Sequence, residues 1–299
     1  MFDFYIAHEY WFAAVQLALA MLGMGATLAL SDFTRVATDP RGFSIGIALQ
    51  LLLVPLIAWA LISVSDASPG LAVGLAICAA IPGGSVSNIF TFFARGHIAL
   101  SIALTSIATL ACLVTTPLIL DLLIAHHLPE GFTMPAGRIA MEIGLCLLLP
   151  LVLGMLYLRL FPKSAPVLSR WCIRGSLFVI GLIVVGALGA GRLDLESFGG
   201  DNIIWVVAFI VILSAVSFVL PRLLGANRAD VAAINIEVTV RNTNLGLLIK
   251  ASLFPAAVGV SDPIGDNTLF AILLYGALML LVSSLMIPAH RRGNPASPA

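Results

Sequence analysis

The sequence has 299 residues, of which 60% are hydrophobic and only 10% are charged, and its formal net charge is zero. A soluble domain usually carries about a quarter charged residues, so this chain has too few charges to cover a surface in water. The mean hydropathy of +1.09 therefore excludes a soluble enzyme and predicts an all-α integral membrane protein with the lipid bilayer as its solvent. The net charge of zero says nothing about nucleic acid, and for a protein of this class we expect no nucleic-acid partner.

Nine segments are long and apolar enough to cross a bilayer as helices, which takes about 20 mostly apolar residues. They lie at about 11–30, 43–64, 70–94, 98–123, 139–159, 174–191, 202–221, 231–254 and 267–288. The N-terminus lacks the basic region of a cleavable signal peptide, so we expect the first segment to remain as a membrane helix. The connections are short, and we interpret residues 1–299 as one polytopic domain.

The basic residues predict the orientation of the chain. Alternate loops contain Arg35, Arg41, Arg95, Arg159, Lys163, Arg170, Arg174, Arg222, Arg228, Arg291 and Arg292. The opposite side has only Arg138, Arg192 and Lys250. Because basic loops stay in the cytoplasm, we expect the N-terminus outside and the C-terminus inside.

Two of the nine segments are interrupted near their middles. Pro82–Asn88 contains a Pro-Gly-Gly run, and Glu237–Asn244 is a polar cluster within apolar sequence. Successive segments cross the membrane in alternating directions. The third and eighth segments are five positions apart in this order, so they cross in opposite directions, as in an inverted repeat. The sequence therefore predicts repeat one at about 11–123, an unpaired segment at 139–159 and repeat two at about 174–288. Paired interruptions of this kind indicate a transporter binding site.

The first interruption, Pro82–Asn88, could present freed carbonyl groups to a cation and a half-helix N-terminus to an anion. The alternative is a plain kink, since Pro and Gly are common in membrane helices. In the second interruption, Glu237 and Arg241 are charges at mid-membrane, where each costs at least ~2.5 kcal/mol and is by default a functional candidate. The alternative is an i,i+4 ion pair that merely neutralises itself. The neighbouring Asn242 and Thr243 favour the functional interpretation.

Hydroxyl side chains recur every four residues on one face of the fourth segment, at Ser101, Thr105 and Thr109. Together with polar residues of the interruptions they could form the oxygen cage that hard cations prefer. They could equally line helix–helix contacts and bond back to their own helix. Gln50, the one amide of the second segment, is either an interhelical link or a lining residue.

Four motifs together resemble the bile acid:sodium symporter family. They are Gly23–Leu28 with Asp32-Phe33, Pro82–Asn88, Ala94–Ser101, and Glu237-Val238 with Asn242 and Gly246. The resemblance covers nearly the whole chain. It implies a panel domain and a core domain, with two discontinuous helices that cross at mid-membrane. It also implies the nine-span form, without the extra first helix of ten-span members.

The resemblance further implies two sodium sites. Matching positions assign the first sodium to Ser87, Asn88, Ser101, Thr105 and Glu237. They assign the second to Gln50, Glu237 and the backbone at Val238 and Val240.

The substrate would meet Ser85, Asn242 and the half-helix N-termini, and Arg241 and Thr243 are further candidates in the same polar cluster. One position departs from the family, because Arg241 stands where a glutamine usually helps to ligate the second sodium. A guanidinium has five donors and no acceptor, so it cannot ligate a cation. We therefore expect one coupled sodium rather than two. Arg241 would either replace the charge of the second ion or pair directly with a substrate carboxylate.

These features predict a multi-pass transporter of the bacterial inner membrane that couples sodium to the symport of small organic anions by alternating access. No obligate protein partner is indicated. A sodium-independent or efflux-type carrier of organic anions or oxyanions is an alternative, and we would expect a cysteine in its broken-helix region. Cys78 lies four residues before Pro82. A membrane-embedded enzyme would need a convergent set of acid, base or nucleophile groups, and Glu237 with Arg241 is too little.

Overall fold

A computed structural model describes residues 2–29, 40–84, 86–124, 127–128 and 132–293. Its helices are α1 (Phe2–Gly25), α2 (Pro40–Val64), α3 (Pro69–Ala80), α4 (Val86–Phe93), α5 (Ile98–Ile124), α6 (Ala136–Leu160), α7 (Ala165–Gly189), α8 (Leu195–Phe198), α9 (Gly200–Leu223), α10 (Arg228–Thr239), α11 (Thr243–Leu253) and α12 (Pro263–Gly293). Short π-helical stretches lie within α2 and α6. Within the described residues, six helices are long and apolar enough to cross a membrane, namely α2, α5, α6, α7, α9 and α12. The chain is thus an all-α, multi-pass membrane protein.

The other three predicted segments take different forms. The segment predicted at 11–30 is helical only as far as Gly25, where α1 ends. α1 begins at Phe2, earlier than predicted, and buries the polar side chains of Glu9 and Gln16. The segments predicted at 70–94 and 231–254 are each two consecutive shorter helices, α3 with α4 and α10 with α11. Both interruptions are therefore present as breaks in the helix, as the sequence predicts.

Local chemistry explains where the broken helices begin and end. Ser68 caps α3 by accepting a hydrogen bond from the Leu71 N–H (3.3 Å), and Pro69 follows at the first helical position. The residue after α3, Ile81, is extended because it precedes Pro82. Asn227 caps α10 through the Asp230 N–H (2.9 Å). α10 ends where Val240 becomes extended.

The helices pack in two groups. Group one consists of α1, α6 and α7, in which α1 lies along both partners. Group two contains the remaining long helices and the broken ones, with α3 packed against α12 and α5, and α10 packed against α9. The groups meet chiefly where α1 lies beside α11 and where the first part of α6 lies beside α5.

Two basic residues counted among the loop charges are buried. Lys250 lies inside α11 with 0% of its surface exposed, and Arg192, which follows α7, is 8% exposed. Lys250, which was counted with the basic residues of the opposite side, is therefore not an exposed charge. Its ammonium group bonds to both carboxylate oxygens of Glu9 at 2.9 Å, and this partner in α1 is remote in sequence. Counting charges along the sequence cannot predict a pair of residues so far apart.

Candidate functional site

The two breaks pair with each other through their backbones. The Gly84 N–H donates to the Val240 carbonyl and the Asn242 N–H donates to the Pro82 carbonyl, each at 2.9 Å. Gly83 and Arg241 lie opposite each other as an antiparallel bridge between these two bonds. Each break thus satisfies backbone groups of the other, which is required where helical hydrogen bonds are lost inside a membrane protein. This pairing holds the four half-helix ends at one place.

Gly83 is needed at this crossing because of its close approach to Glu237. A Cβ atom on Gly83 would overlap the Glu237 carboxylate, and one on Gly84 would lie 3.1 Å from the Arg241 carbonyl oxygen. A side chain at Gly83 would thus displace the Glu237 carboxylate, whereas one at Gly84 would need a shift of only a few tenths of an ångström. The Pro-Gly-Gly run breaks the helix and also lets the carboxylate reach the break.

The Glu237 carboxylate is fully buried and surrounded by hydroxyl groups. Thr105 Oγ1 donates to Glu237 Oε1 (2.6 Å), Ser101 Oγ lies 3.1 Å from Oε2, and Ser87 Oγ also donates to Oε2. Ser101 Oγ is also 2.8 Å from Asn88 Oδ1. All five residues assigned to the first sodium site are thereby brought together from α4, α5 and α10. We call them the Glu237 cluster.

The electrostatics of the Glu237 cluster favour a cation. Among the described residues, no Lys, Arg or His forms an ion pair with Glu237. A buried ionised carboxylate is costly unless it is paired or coordinates a cation. A carboxylate, three hydroxyls and an amide oxygen are hard oxygen ligands, which suit an alkali or alkaline-earth ion rather than a soft metal. In the part of the chain that the structure describes, no group of three or more His, Cys, Asp or Glu side chains could hold a metal ion.

Two further residues of this region have no role predicted from the sequence. Thr91, fully buried in α4, places its hydroxyl 3.2 Å from Ser101 Oγ and so forms a second layer behind the cluster. Its spacing of four residues from Ser87 was the available signal. The Tyr275 hydroxyl donates to the Thr239 carbonyl at the end of α10 (2.8 Å), and nothing in its apolar surroundings indicated this role. Thr109 is buried but bonds to none of the cluster.

The residues assigned to a second sodium site have other contacts. Gln50 Oε1 accepts from the Gly83 N–H at 3.2 Å, and the Val240 carbonyl accepts from Gly84. Arg241 extends towards the C-terminal end of α3, where its guanidinium donates to the carbonyls of Cys78 (3.3 Å) and Ala79 (2.9 Å). A cation is favourable at that end of a helix because the last carbonyls lack partners there.

The i,i+4 alternative for Glu237 and Arg241 is therefore wrong. α10 ends at Thr239, so Arg241 lies in the break and not one helical turn beyond Glu237. No ion pair joins these two residues within the described ranges.

The candidate substrate residues lie at the start of α11. Asn242 caps this helix by accepting from the Leu245 N–H (3.4 Å), and its Nδ2 lies 3.9 Å from Met21 Sδ of α1. Asn242 thus lies where group one meets group two. Thr243 is the first helical residue and faces Gly276 of α12. Ser85 lies outside the described residues.

Comparison with known proteins gives consistent matches. The model of the Sodium Bile acid symporter family matches residues 14–191, more than half of the chain. A probable chloroplastic sodium/metabolite cotransporter from Oryza sativa subsp. japonica is 30% identical over 82% of this chain and 59% of its own length. An uncharacterized sodium-dependent transporter from Bacillus subtilis (strain 168) is 28% identical, covering 85% of this chain and 78% of the relative. A sodium-dependent organic anion transporter from Bos taurus is 28% identical, covering 93% and 72%.

Proposed function

Because the chain belongs to the sodium bile acid symporter family, we propose that it is a sodium-coupled symporter of small organic anions. The names of the bacterial and bovine relatives, a sodium-dependent transporter and a sodium-dependent organic anion transporter, support this class of activity. The observation that carries the proposal is the buried Glu237 carboxylate, enclosed by hydroxyl groups beside the paired breaks and without a basic partner among the described residues.

Sodium binds in the Glu237 cluster under this proposal. Ser87, Asn88, Ser101 and Thr105 supply neutral oxygen ligands, and the Glu237 carboxylate supplies the compensating charge. Hydroxyl groups can donate to the carboxylate while their lone pairs face the cation, so both contacts are compatible. Glu237 belongs to α10, whereas the other ligands belong to α4 and α5, so binding of the ion ties these helices together.

One sodium is coupled, because Arg241 carries the second positive charge. Its guanidinium donates to the carbonyls of Cys78 and Ala79, which is the kind of environment that a second cation would occupy. A sodium about 4 Å from this charge would be repelled by roughly 4 kcal/mol at an intermediate effective dielectric. We favour replacement of the ion over direct pairing with a substrate carboxylate, since two of the guanidinium nitrogens are held by α3.

Transport proceeds by rocking of the two helix groups. In the nine-span architecture that we propose, group one is the panel domain and group two is the core domain. The inverted repeats are 11–123 and 174–288, with 139–159 unpaired. The substrate anion binds at the starts of α4 and α11, near Ser85, Asn242 and Thr243. These half-helix N-termini carry partial positive charge.

The protein lies in the bacterial inner membrane with its N-terminus outside and its C-terminus in the cytoplasm. We expect single cysteines at Asp66 and Glu196 to react with an impermeant thiol reagent from outside. Cysteines at Lys163 and Arg228 should react only after the membrane is opened. The reverse labelling pattern would refute this orientation.

The proposal is tested by uptake into proteoliposomes. A panel of organic anions, such as hydroxy acids, keto acids, sulfonates and bile acids, is supplied with an inward gradient of sodium or of potassium. We expect at least one anion to accumulate only with sodium. Equal uptake with both ions would refute sodium coupling and leave a sodium-independent carrier. Chemical conversion of a supplied anion would refute pure transport.

A further inference from the structure

Four charged side chains, three buried and one partly exposed, form a cluster where the two helix groups meet. We call it the four-charge cluster, and its members are Glu9, Arg192, Lys250 and Asp266. Lys250 Nζ donates to both carboxylate oxygens of Glu9 at 2.9 Å. Arg192 NH1 lies 2.9 Å from Glu9 Oε1, without hydrogen-bond alignment, and Arg192 Nε donates to Asp266. Two acids thus balance two bases.

The ion pairs of this cluster connect group one to group two. Glu9 belongs to α1, and the Arg192 N–H still bonds to α7 at the Ala187 carbonyl (2.9 Å), so both are attached to group one. Lys250 belongs to α11 and Asp266 to the first turn of α12, both in group two. Each contact with Lys250 or Asp266 therefore has to break if the groups separate at this end.

The cluster lies between the paired breaks and one face of the protein. Asn242, at the start of α11, contacts Met21 across the boundary between the groups. Lys250 is farther along the same helix, at about 1.5 Å per residue, towards the end where α1 begins. A substrate that reached Asn242 from this face would pass the four-charge cluster.

Because its central residues are buried, the ion pairs of the cluster matter to the stability of the closed arrangement. Lys250 is 0% exposed and Glu9 is 5% exposed, so each is stable only with its partner in place. Removing one member of a buried ion pair leaves an uncompensated charge, which is far more unfavourable than removing both. Arg138 and Glu142, by contrast, pair within α6, so their ion pair does not itself join the two groups.

We propose that the four-charge cluster is a latch that holds the two groups closed at the face where α1 begins. The latch opens when the groups separate, and water then hydrates Lys250. The inference rests on the proposed alternating access, but not on sodium or on any particular substrate. Closure at this face is thereby favoured by the chain itself, and the route to Asn242 from this side is open only when the latch is broken.

The latch makes an asymmetric prediction for its two central residues. Glu9→Gln leaves Lys250 buried without a partner, since Arg192 still has Asp266. Lys250→Met leaves Glu9 with Arg192. We therefore expect Glu9→Gln to open the face more than Lys250→Met does. The double variant, which leaves no isolated charge, should open it less than Glu9→Gln alone.

The test uses Asn242→Cys as a reporter in sealed vesicles that contain the full chain. An impermeant charged thiol reagent is added at the face where α1 begins, without sodium or substrate, and the rate of modification is followed. Glu9→Gln should raise this rate by about tenfold or more, because about ten times as many molecules would be open at this face. The control Glu142→Gln removes a carboxylate paired within α6 and should leave the rate unchanged. The parent chain without the reporter gives the background from Cys78, Cys112, Cys146 and Cys172.

The latch would be refuted if Glu9→Gln left the rate of thiol modification within about twofold of the rate for Asn242→Cys alone. An increase at the opposite face, or an equal increase with Glu142→Gln, would also refute it. If Glu9→Gln does not fold, the pair Glu9→Cys and Lys250→Cys provides a second test. Joining these cysteines with a short reducible linker should stop anion uptake, and reduction should restore it. Uptake that continues with the linker in place would equally refute the latch.

Discussion

Glu237 and Arg241 lie at the same crossing of broken helices, but their surroundings are opposite. Glu237 is a buried carboxyl group among hydroxyl groups, and no basic side chain of the described residues forms an ion pair with it. Arg241 is a cation whose donors meet the carbonyls of Cys78 and Ala79. This difference supports the proposal that the crossing has two positions for positive charge. Under that proposal, one position accepts a sodium ion from solution, and Arg241 fills the other.

This difference has an energetic consequence for transport. A sodium ion that moves with the substrate contributes its concentration gradient and about 2.3 kcal/mol per 100 mV of membrane potential. A guanidinium attached to the chain contributes neither, because it is not released. We therefore expect the protein to accumulate substrate less steeply than a two-sodium carrier. For a monovalent anion with one sodium, the cycle should be electroneutral.

The largest effect is expected from Glu237→Gln, which removes the charge that compensates sodium while keeping the side-chain shape. Sodium should raise the melting temperature of the wild type, because an ion at about 100 times its Kd stabilises the folded state by about 2.7 kcal/mol. The variant should lose this stabilisation and its sodium-driven uptake, and Glu237→Ala should do the same. Glu142→Gln, which removes a buried carboxylate elsewhere, serves as the control. Equal stabilisation of the wild type by potassium would contradict the assignment.

Arg241→Gln should have a smaller effect than Glu237→Gln, because it should change the sodium dependence of uptake without abolishing transport. If Arg241 replaces a sodium, the amide oxygen should restore a ligand and the Hill slope for sodium-dependent uptake should rise above one while transport persists. If the guanidinium instead binds the substrate carboxylate, the apparent affinity for the anion should fall and the slope should stay the same. Measuring both quantities on one variant separates the two roles, and we expect the first outcome.

The smallest effect distinguishes two threonines of α5. Thr105 Oγ1 donates to Glu237, whereas Thr109, one turn farther on the same face, bonds to none of the Glu237 cluster. Thr105→Val should weaken the apparent sodium affinity by about tenfold, the loss expected for one hydrogen bond to a buried charged group. Thr109→Val should leave it within experimental error. Similar losses in both variants would mean that the hydroxyl face acts through packing alone.

Much of this arrangement is predictable from the sequence because membrane segments have strong local signals. The Pro-Gly-Gly run and the isolated Glu237 stand out in apolar sequence, and both breaks occur at the predicted places. The family resemblance supplied the ligand positions Ser87 and Thr105, and the structure brings these side chains to Glu237.

Contacts between remote segments could not be predicted in this way. Glu9 and Lys250 are 241 positions apart, and neither belongs to a motif, so their pairing depends on how α1 packs against α11. The partners of Arg241 likewise follow from the antiparallel pairing of the two breaks, which brings the guanidinium to the end of α3. The alternative of an i,i+4 pair between Glu237 and Arg241 required a continuous helix, which the break after Thr239 rules out.

The most direct test of the central claim is the sodium-to-anion stoichiometry of the wild type. Proteoliposomes are loaded with a monovalent anion that the uptake screen has identified, and the sodium gradient that just balances its gradient is measured at several membrane potentials. We expect one sodium per anion and a balance point that does not change with potential. Two sodium ions per anion, with a balance point that shifts with potential and a Hill slope near two, would contradict it.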